Sequence, residues 1–344
     1  DTGLYTWPYL RELAERRDQL MAGYRKLGPY GLVWNITSKQ EEAFAEIRDF
    51  LIAGERFYPP DAVSFSMAEQ RAFYDRYCAH FRKPRPESVT AKDVRFAGVP
   101  CRHYTPKGAT EAPLLVYLHG GGFVLGGLDS HDDVCAELCD GAKIEVVAVA
   151  YRLAPEHPFP AAFEDCWAAL KAIASINPEI IVGGDSAGGN LAAALALKAR
   201  DEEAPRLKGQ VLIYPGLGGD MTTGSYVTQA TAPGLSTADV QYYRDVYRGG
   251  GSKYAEPLRE TDYKGLPPAF LVAAALDPLH DDCFAYAKRL AAAGVPAMVR
   301  DEPLLVHAFL RARNMSVPAR ASFDAITAAC ASLAHFGRLP PERT

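Results

Sequence analysis

The chain predicts an α/β fold with a mostly parallel central sheet, and two observations carry that expectation. Short runs rich in Val, Ile and Leu, near Val94, Arg102, Val116, Val147, Val182 and Leu212, alternate with helix-forming stretches near 131 to 141, 161 to 175 and 189 to 200. That is the pattern of strands joined by crossover helices and covered on both faces. Two glycine-rich motifs each follow such a run directly: His119-Gly120-Gly121-Gly122 after Leu114-Leu115-Val116-Tyr117-Leu118, and Gly184-Asp185-Ser186-Ala187-Gly188 after Ile180-Ile181-Val182-Gly183. In such sheets ligands gather at the carboxyl ends of the strands, where both motifs fall.

Taken in order, the chain reads as three stretches without repeats. The first, residues 1 to 87, is expected to be helical. One helix runs from Trp7 to Leu27 and stops at Gly28-Pro29. A second opens at Thr37 or Ser38, with Gln40 or Glu41 three residues on as a capping box, and closes at Gly54. A third opens at Ser66 with Glu69, carries Phe73, Tyr77 and Phe81 at helical spacing, and is broken by Lys83-Pro84-Arg85-Pro86. The second stretch, 88 to 216, holds the alternating strands and helices. The third makes an excursion from 217 to 262 with Tyr226, Tyr242, Tyr243 and Tyr247 and a helix-start signal at Ser236 and Asp239, for which helix packing is the plain reading. It then returns to a strand at Phe270 to Ala275, another at Val295 to Arg300, a loop and a terminal helix.

The chemistry starts at Ser186. A serine pushed onto a tight strand-to-helix turn brings neighbouring backbone so close that glycine is needed two positions before and after it. The same turn aims the N–H of Ala187, at a helix start, at a carbonyl under attack. Alone, the pattern also fits an ordinary helix start; the upstream glycines weigh against that. Consecutive N–H groups at Gly121 and Gly122 can point into one concavity, as an oxyanion hole requires. A base and an acid are then expected downstream in the order Ser, Asp, His. Asp277 ends the strand at Phe270 to Ala275, whereas its rivals Asp281 and Asp282 fall in a helix's first turn, where carboxylates complement the dipole. His307 follows the last strand, while His335 lies in the terminal helix and reads as a packing residue. His119 is expected to shape its loop, Asp185 to make a structural hydrogen bond, and Glu156 to fix a loop.

On these motifs, with Ser130-His131-Asp132, the run Tyr151 to Ala162, Asp277-Pro278-Leu279 and His307-Ala308-Phe309, the sequence resembles the hormone-sensitive-lipase family of serine esterases, in the bacterial branch with a Gly-Asp-Ser-Ala-Gly-Gly-Asn elbow. The resemblance covers roughly residues 88 to 336. It implies an α/β-hydrolase fold over 88 to 344 and a carboxylic-ester hydrolase working through Ser186, His307 and Asp277 without a cofactor. It also implies that residues 1 to 87 and the 217 to 262 insertion form a cap over the substrate, which favours short to medium acyl chains. One departure stands out: Ala308 replaces the glycine usual after the catalytic histidine, and alanine is expected to exclude a strongly positive φ there.

Composition fits. With 344 residues, 48% of them hydrophobic, and no tract of eighteen apolar residues, a large core is expected and a membrane span is not. A net charge of −5 without a basic stripe argues against nucleic acid as a partner. Seven cysteines in no paired framework point to reduced thiols and a cytoplasmic protein; Cys135 and Cys139 share a helix face, but nothing completes a metal site. The start, Asp1-Thr2-Gly3, has no basic or apolar leader segment and leaves open a form whose signal has been removed. The expected partner is a small ester substrate, and the sequence allows a homodimer. An amidase or formamidase with the same triad, and a non-catalytic small-molecule receptor on the same fold, are the rival functions; receptors of that kind lose the histidine that this chain keeps.

Overall fold

Alternation of side chains between two cores along fully buried strands dictates the architecture. The computed structural model describes residues 38–59, 61–109 and 112–341. Its eight strands are β1 (Val89–Phe96), β2 (Val99–Pro106), β3 (Leu114–Leu118), β4 (Glu145–Val149), β5 (Ile180–Asp185), β6 (Leu207–Ile213), β7 (Ala269–Leu276) and β8 (Ala297–Val306). They form one sheet in the order β1-β2-β4-β3-β5-β6-β7-β8, antiparallel only where β2 meets β1 and β4. Alternate side chains enter opposite cores. Leu114, Val116 and Leu118 join one core, with α4 (Ala161–Ala174), α5 (Ala187–Asp201) and α8 (His280–Ala292) over it. Leu115 and Tyr117 join the other, covered by α3 (Asp132–Ala142) and α9 (Val317–Phe336). The expected mostly parallel sheet with helices on both faces is thus the observed one.

The expected helix between Trp7 and Leu27 lies outside the described residues, as do Thr37 and the side chains of the capping box expected near Ser38. The rest of the first stretch forms α1 (Ser38–Glu55) and α2 (Met67–Phe81). Ser66 caps α2 in a reciprocal box with Glu69, and Ser236 does the same with Asp239 for α7 (Thr237–Tyr247), which follows the single turn α6 (Ser225–Thr228). In α2 the inward stripe differs from the expected one. Tyr77 and Phe81 pack against Phe50 of α1, but Phe73 packs outward against Phe65, and Tyr74 takes the cavity side.

The last strand is longer than its pattern implies. Asp301-Glu302-Pro303 reads as a loop, yet β8 continues through it to Val306, with a register shift opposite Ala274 and Leu276. Because β8 is a sheet edge, Pro303 can lack a ladder donor on its open side. The extension carries the chain directly to His307.

A buried charge cluster pins α9 and its approach to α3. The Arg313 side chain is fully buried and bonds to Asp133, to Glu137 at 2.7 Å and to the Leu310 carbonyl at 2.8 Å. Removing one member of a buried set strands the others, which typically costs about 3–5 kcal/mol. Arg313→Met should therefore lower the urea midpoint by a corresponding amount with an unchanged m-value. A loss below about 1 kcal/mol would show that the cluster is not holding this junction.

Candidate active site

Ser186 lies between β5 and α5 with φ 55° and ψ −120°, a strained backbone. The glycines around it are required by contact. A Cβ on Gly184 would press on the Leu118 carbonyl oxygen and the Gly188 backbone, and one on Gly188 would press on the carbonyls of Leu118 and His119. The elbow thus lies flush against the end of β3. In the loop beyond β3, Gly121 has φ +127°, and a Cβ there would run into the Leu125 carbonyl.

Two further strand ends complete the group. Asp277 directly follows β7 and is fully buried; His307 directly follows β8. His307 Nδ1 lies 2.6 Å from Asp277 Oδ2, and its Nε2 lies 2.9 Å from Ser186 Oγ. A carboxylate only accepts, so Nδ1 carries the proton and Nε2 is left to accept from the serine hydroxyl. The other Asp277 oxygen accepts from the Leu279 N–H at 2.9 Å, fixing the carboxylate plane. The Tyr214 ring, with its centroid 4.8 Å from the imidazole, backs His307; nothing in its local sequence marks it. Gly121, Gly122 and Ala187 border the same cavity as Ser186 and His307, and their N–H groups donate to no acceptor among the described residues.

Ala308 has φ +61° and ψ 21°, which corrects the expectation that alanine excludes this region. The left-handed conformation costs a non-glycine residue about 1 kcal/mol or so, which the buried turn at Phe309 and Leu310 can offset.

The neighbouring acids have other partners. Asp185 Oδ1 accepts from the Tyr117 hydroxyl at 2.7 Å and the Gly120 N–H at 3.0 Å, and Oδ2 lies 3.2 Å from His131 Nε2. Burial alone would raise its pKa, but His131, Tyr117 and Arg311 hold it well below the usual carboxylate range. Asp281 accepts from the Ser225 N–H, and Asp282 accepts from the N–H groups of Leu217 and Gly219 and from the Tyr226 hydroxyl. Both therefore tie the 217 to 262 insertion to α8 rather than touching His307. Burial pushes the His119 pKa down to about 4, and this neutral ring stacks on Tyr151. Glu156 forms a two-point ion pair with Arg71 of α2. Among the described residues no His, Cys, Asp or Glu cluster is arranged to hold a metal, and no helix is long and apolar enough to cross a membrane.

A cavity of about 840 Å³ opens over Ser186, walled by Tyr58, Tyr74 and Tyr77 from the N-terminal side and by Leu235, Val240 and Tyr243 from the insertion. A large, mostly apolar enclosure with a few convergent polar groups is the usual form of a small-molecule site.

Comparison with known proteins gives the same picture. A family model described as alpha/beta hydrolase fold matches residues 115–311. Esterase LipI of Mycobacterium tuberculosis is 42% identical over 212 residues, 58% of this chain and 66% of that protein, so the chain spans just under two thirds of its length. The carboxylic ester hydrolase LipN of the same organism is 37% identical over 270 residues, 72% of each chain. Among solved structures, an esterase of Pyrobaculum calidifontis is 34% identical with a TM-score of 0.74, covering 79% of this chain and 94% of that one.

Asp282 provides a stability test at the insertion's anchor. Burial, opposed by its three donors, pushes its pKa up to about 6, against 3.8 for a free side chain. A carboxyl whose folded pKa is raised stabilises the fold most when protonated, and that contribution is lost as pH rises through about 6. Relative to Asp282→Asn, the wild type should gain stability as pH falls from about 6 towards 4, on the order of 1 kcal/mol per pH unit. Denaturant titrations of both proteins at pH 7 and pH 5 measure this; a difference independent of pH would contradict it.

Proposed function

The chain belongs to the alpha/beta hydrolase fold family, in its hormone-sensitive-lipase branch of bacterial esterases, and from that premise we propose that it hydrolyses short to medium acyl esters through Ser186, His307 and Asp277. The carrying observation is the continuous line of hydrogen bonds from Asp277 through His307 to Ser186, ending in the cavity. Ser186 Oγ attacks the ester carbonyl as its proton passes to His307 Nε2. Asp277 holds the Nδ1 tautomer and stabilises the imidazolium that forms. Negative charge collects on the former carbonyl oxygen and is received by the N–H groups of Gly121, Gly122 and Ala187, each such donor being typically worth a factor on the order of 10²–10³. His307 then protonates the departing alcohol oxygen, the C–O bond breaks, and Ser186 is left acylated. Water, deprotonated by the same nitrogen, attacks the acyl group and releases the acid.

In this reading α1, α2 and the 217 to 262 insertion act as the cap. Aromatic walls close to the serine support acyl chains of about two to eight carbons. All seven cysteines are free and buried, which supports a reducing, cytoplasmic setting.

Two measurements test the assignment. Ser186→Ala should keep the fold and lower kcat on p-nitrophenyl butyrate by roughly five to six orders of magnitude, and Asp277→Asn by about 10⁴ through the wrong tautomer. A folded Ser186→Ala protein retaining a tenth of the activity would remove the serine from its role. Across p-nitrophenyl esters, kcat/KM should peak between acetate and octanoate, and preferred turnover of long-chain triglyceride emulsions would overturn the chain-length reading.

A further inference from the structure

The cavity has an acidic, aromatic end for which ester cleavage has no use. Glu55 is the last residue of α1, where a carboxylate meets the negative end of the helix dipole. It borders the cavity, its Oε1 is buried without a hydrogen-bond partner, and burial pushes its pKa up. Among the described residues no basic side chain pairs with it. Of the other charged groups that border the cavity, Arg248 is exposed and carries no ion pair among the described residues, Asp185 is held at the glycine loop, and the rest are engaged elsewhere. Arg244 donates to the Gly219 carbonyl and lies over Tyr226, Asp239 closes the cap of α7, Asp245 accepts from Gln241, and Glu256 pairs with Arg259.

Three tyrosines stand at the same end. The ring centroids of Tyr58, Tyr74 and Tyr77 form a nearly equilateral triangle, 6.2, 6.2 and 6.3 Å apart, and all three border the cavity. Gly54, beside Glu55 in the chain, touches two of them: its carbonyl accepts from the Tyr58 N–H at 3.0 Å, and a Cβ on it would meet the Tyr77 ring at 2.9 Å. The Tyr58 hydroxyl is held by that of Tyr243 at 3.0 Å, so this ring is fixed from across the cavity. A partly buried acid with no cation is costly and is relieved by one that arrives with a ligand. Tyrosine rings attract a cation within about 6 Å of their centroids, and a group seated on a triangle of this size lies within that reach of all three.

We propose that Glu55, Tyr58, Tyr74 and Tyr77 form a subsite for an organic ammonium group, so that esters bearing an amine or quaternary ammonium are preferred substrates. The inference rests on the esterase reading and adds the substrate class. A neutral donor such as a hydroxyl could also satisfy Glu55, so the test isolates charge at constant shape.

Two matched pairs do so, since the group can sit on either side of the ester. On the alcohol side, butyrylcholine is compared with 3,3-dimethylbutyl butyrate. On the acyl side, the p-nitrophenyl esters of 4-(trimethylammonio)butyrate and 5,5-dimethylhexanoate are compared. In at least one pair the cationic member should have kcat/KM higher by about tenfold or more, mostly through KM, and Glu55→Gln should bring that ratio close to one. Calorimetric binding of the same pairs to Ser186→Ala protein, with and without Glu55→Gln, should show the same preference without turnover. Equal kcat/KM within both pairs, or a preference that survives Glu55→Gln, overturns the subsite. Failure of the wild type to cleave p-nitrophenyl butyrate would instead strike the esterase reading, and the binding experiment would still decide the subsite.

Discussion

The site depends on one close approach: the elbow backbone at Gly184 and Gly188 lies directly against the carbonyls that end β3. That contact sets the height of Ser186 above the sheet. It also brings the glycine loop at 120 to 122 alongside the serine, although some sixty residues separate the two motifs. Asp185 adds a polar clamp on the same junction. Its carboxylate takes the Gly120 N–H and the Tyr117 hydroxyl, so the residue beside Ser186 holds the start of the glycine loop. A steric limit and a buried carboxylate together make Ser186 and the loop one rigid unit, which is what the proposed oxyanion donors require.

The buried charge of Asp185 has to be balanced, and the balance reaches the histidine loop. His131 lies between Asp185 and the Arg311 guanidinium, whose Nη2 is 3.0 Å from the ring Nε2 and 3.2 Å from Nδ1, and Ser130 Oγ lies 2.9 Å from Nδ1. Arg311 is four residues beyond His307, on the short helix Phe309–Asn314. Asp133 and Arg313 continue the cluster to Glu137 and Arg320 at the surface of α9. Asp185 and the turn that follows His307 are therefore tied into one buried network. Breaking it at any member leaves a charge without a partner.

Much of this was legible because it is local. The elbow, the glycine loop, the capping boxes at Ser66 and Ser236, and the strand that sets Asp277 at its end all follow from residues within a few positions of each other. What was hidden depends on distant contacts or on backbone choices a pattern does not encode. Tyr214 and Arg311 matter only because the fold brings them to His307 and His131. Tyr74, not Phe73, faces the cavity because α2 is rotated by its packing on Phe50. Ala308 shows that a left-handed residue need not be glycine when the following turn is buried. Pro303 reads as a strand breaker, yet it sits in β8 because that strand is an edge.

The two halves of the cavity are built by different physics, and this bears on how substrate choice is made. The floor is backbone: strand ends, an elbow and N–H groups whose positions follow from sheet geometry, so side-chain changes elsewhere leave them in place. The walls are side chains on α1, α2 and the insertion, which polar ties and core packing join to the body of the fold. Asp282 and Asp281 hold the insertion to α8; Asn190, just past the elbow, donates to the Gly216 and Ala255 carbonyls near its two ends; and Arg71 with Glu156 holds α2. A wall fixed at its ends and filled by tyrosines can exchange one ring or one acid for another without disturbing the floor. In the proposed reading the reaction is thus written in the sheet, and what it acts on is written in the walls.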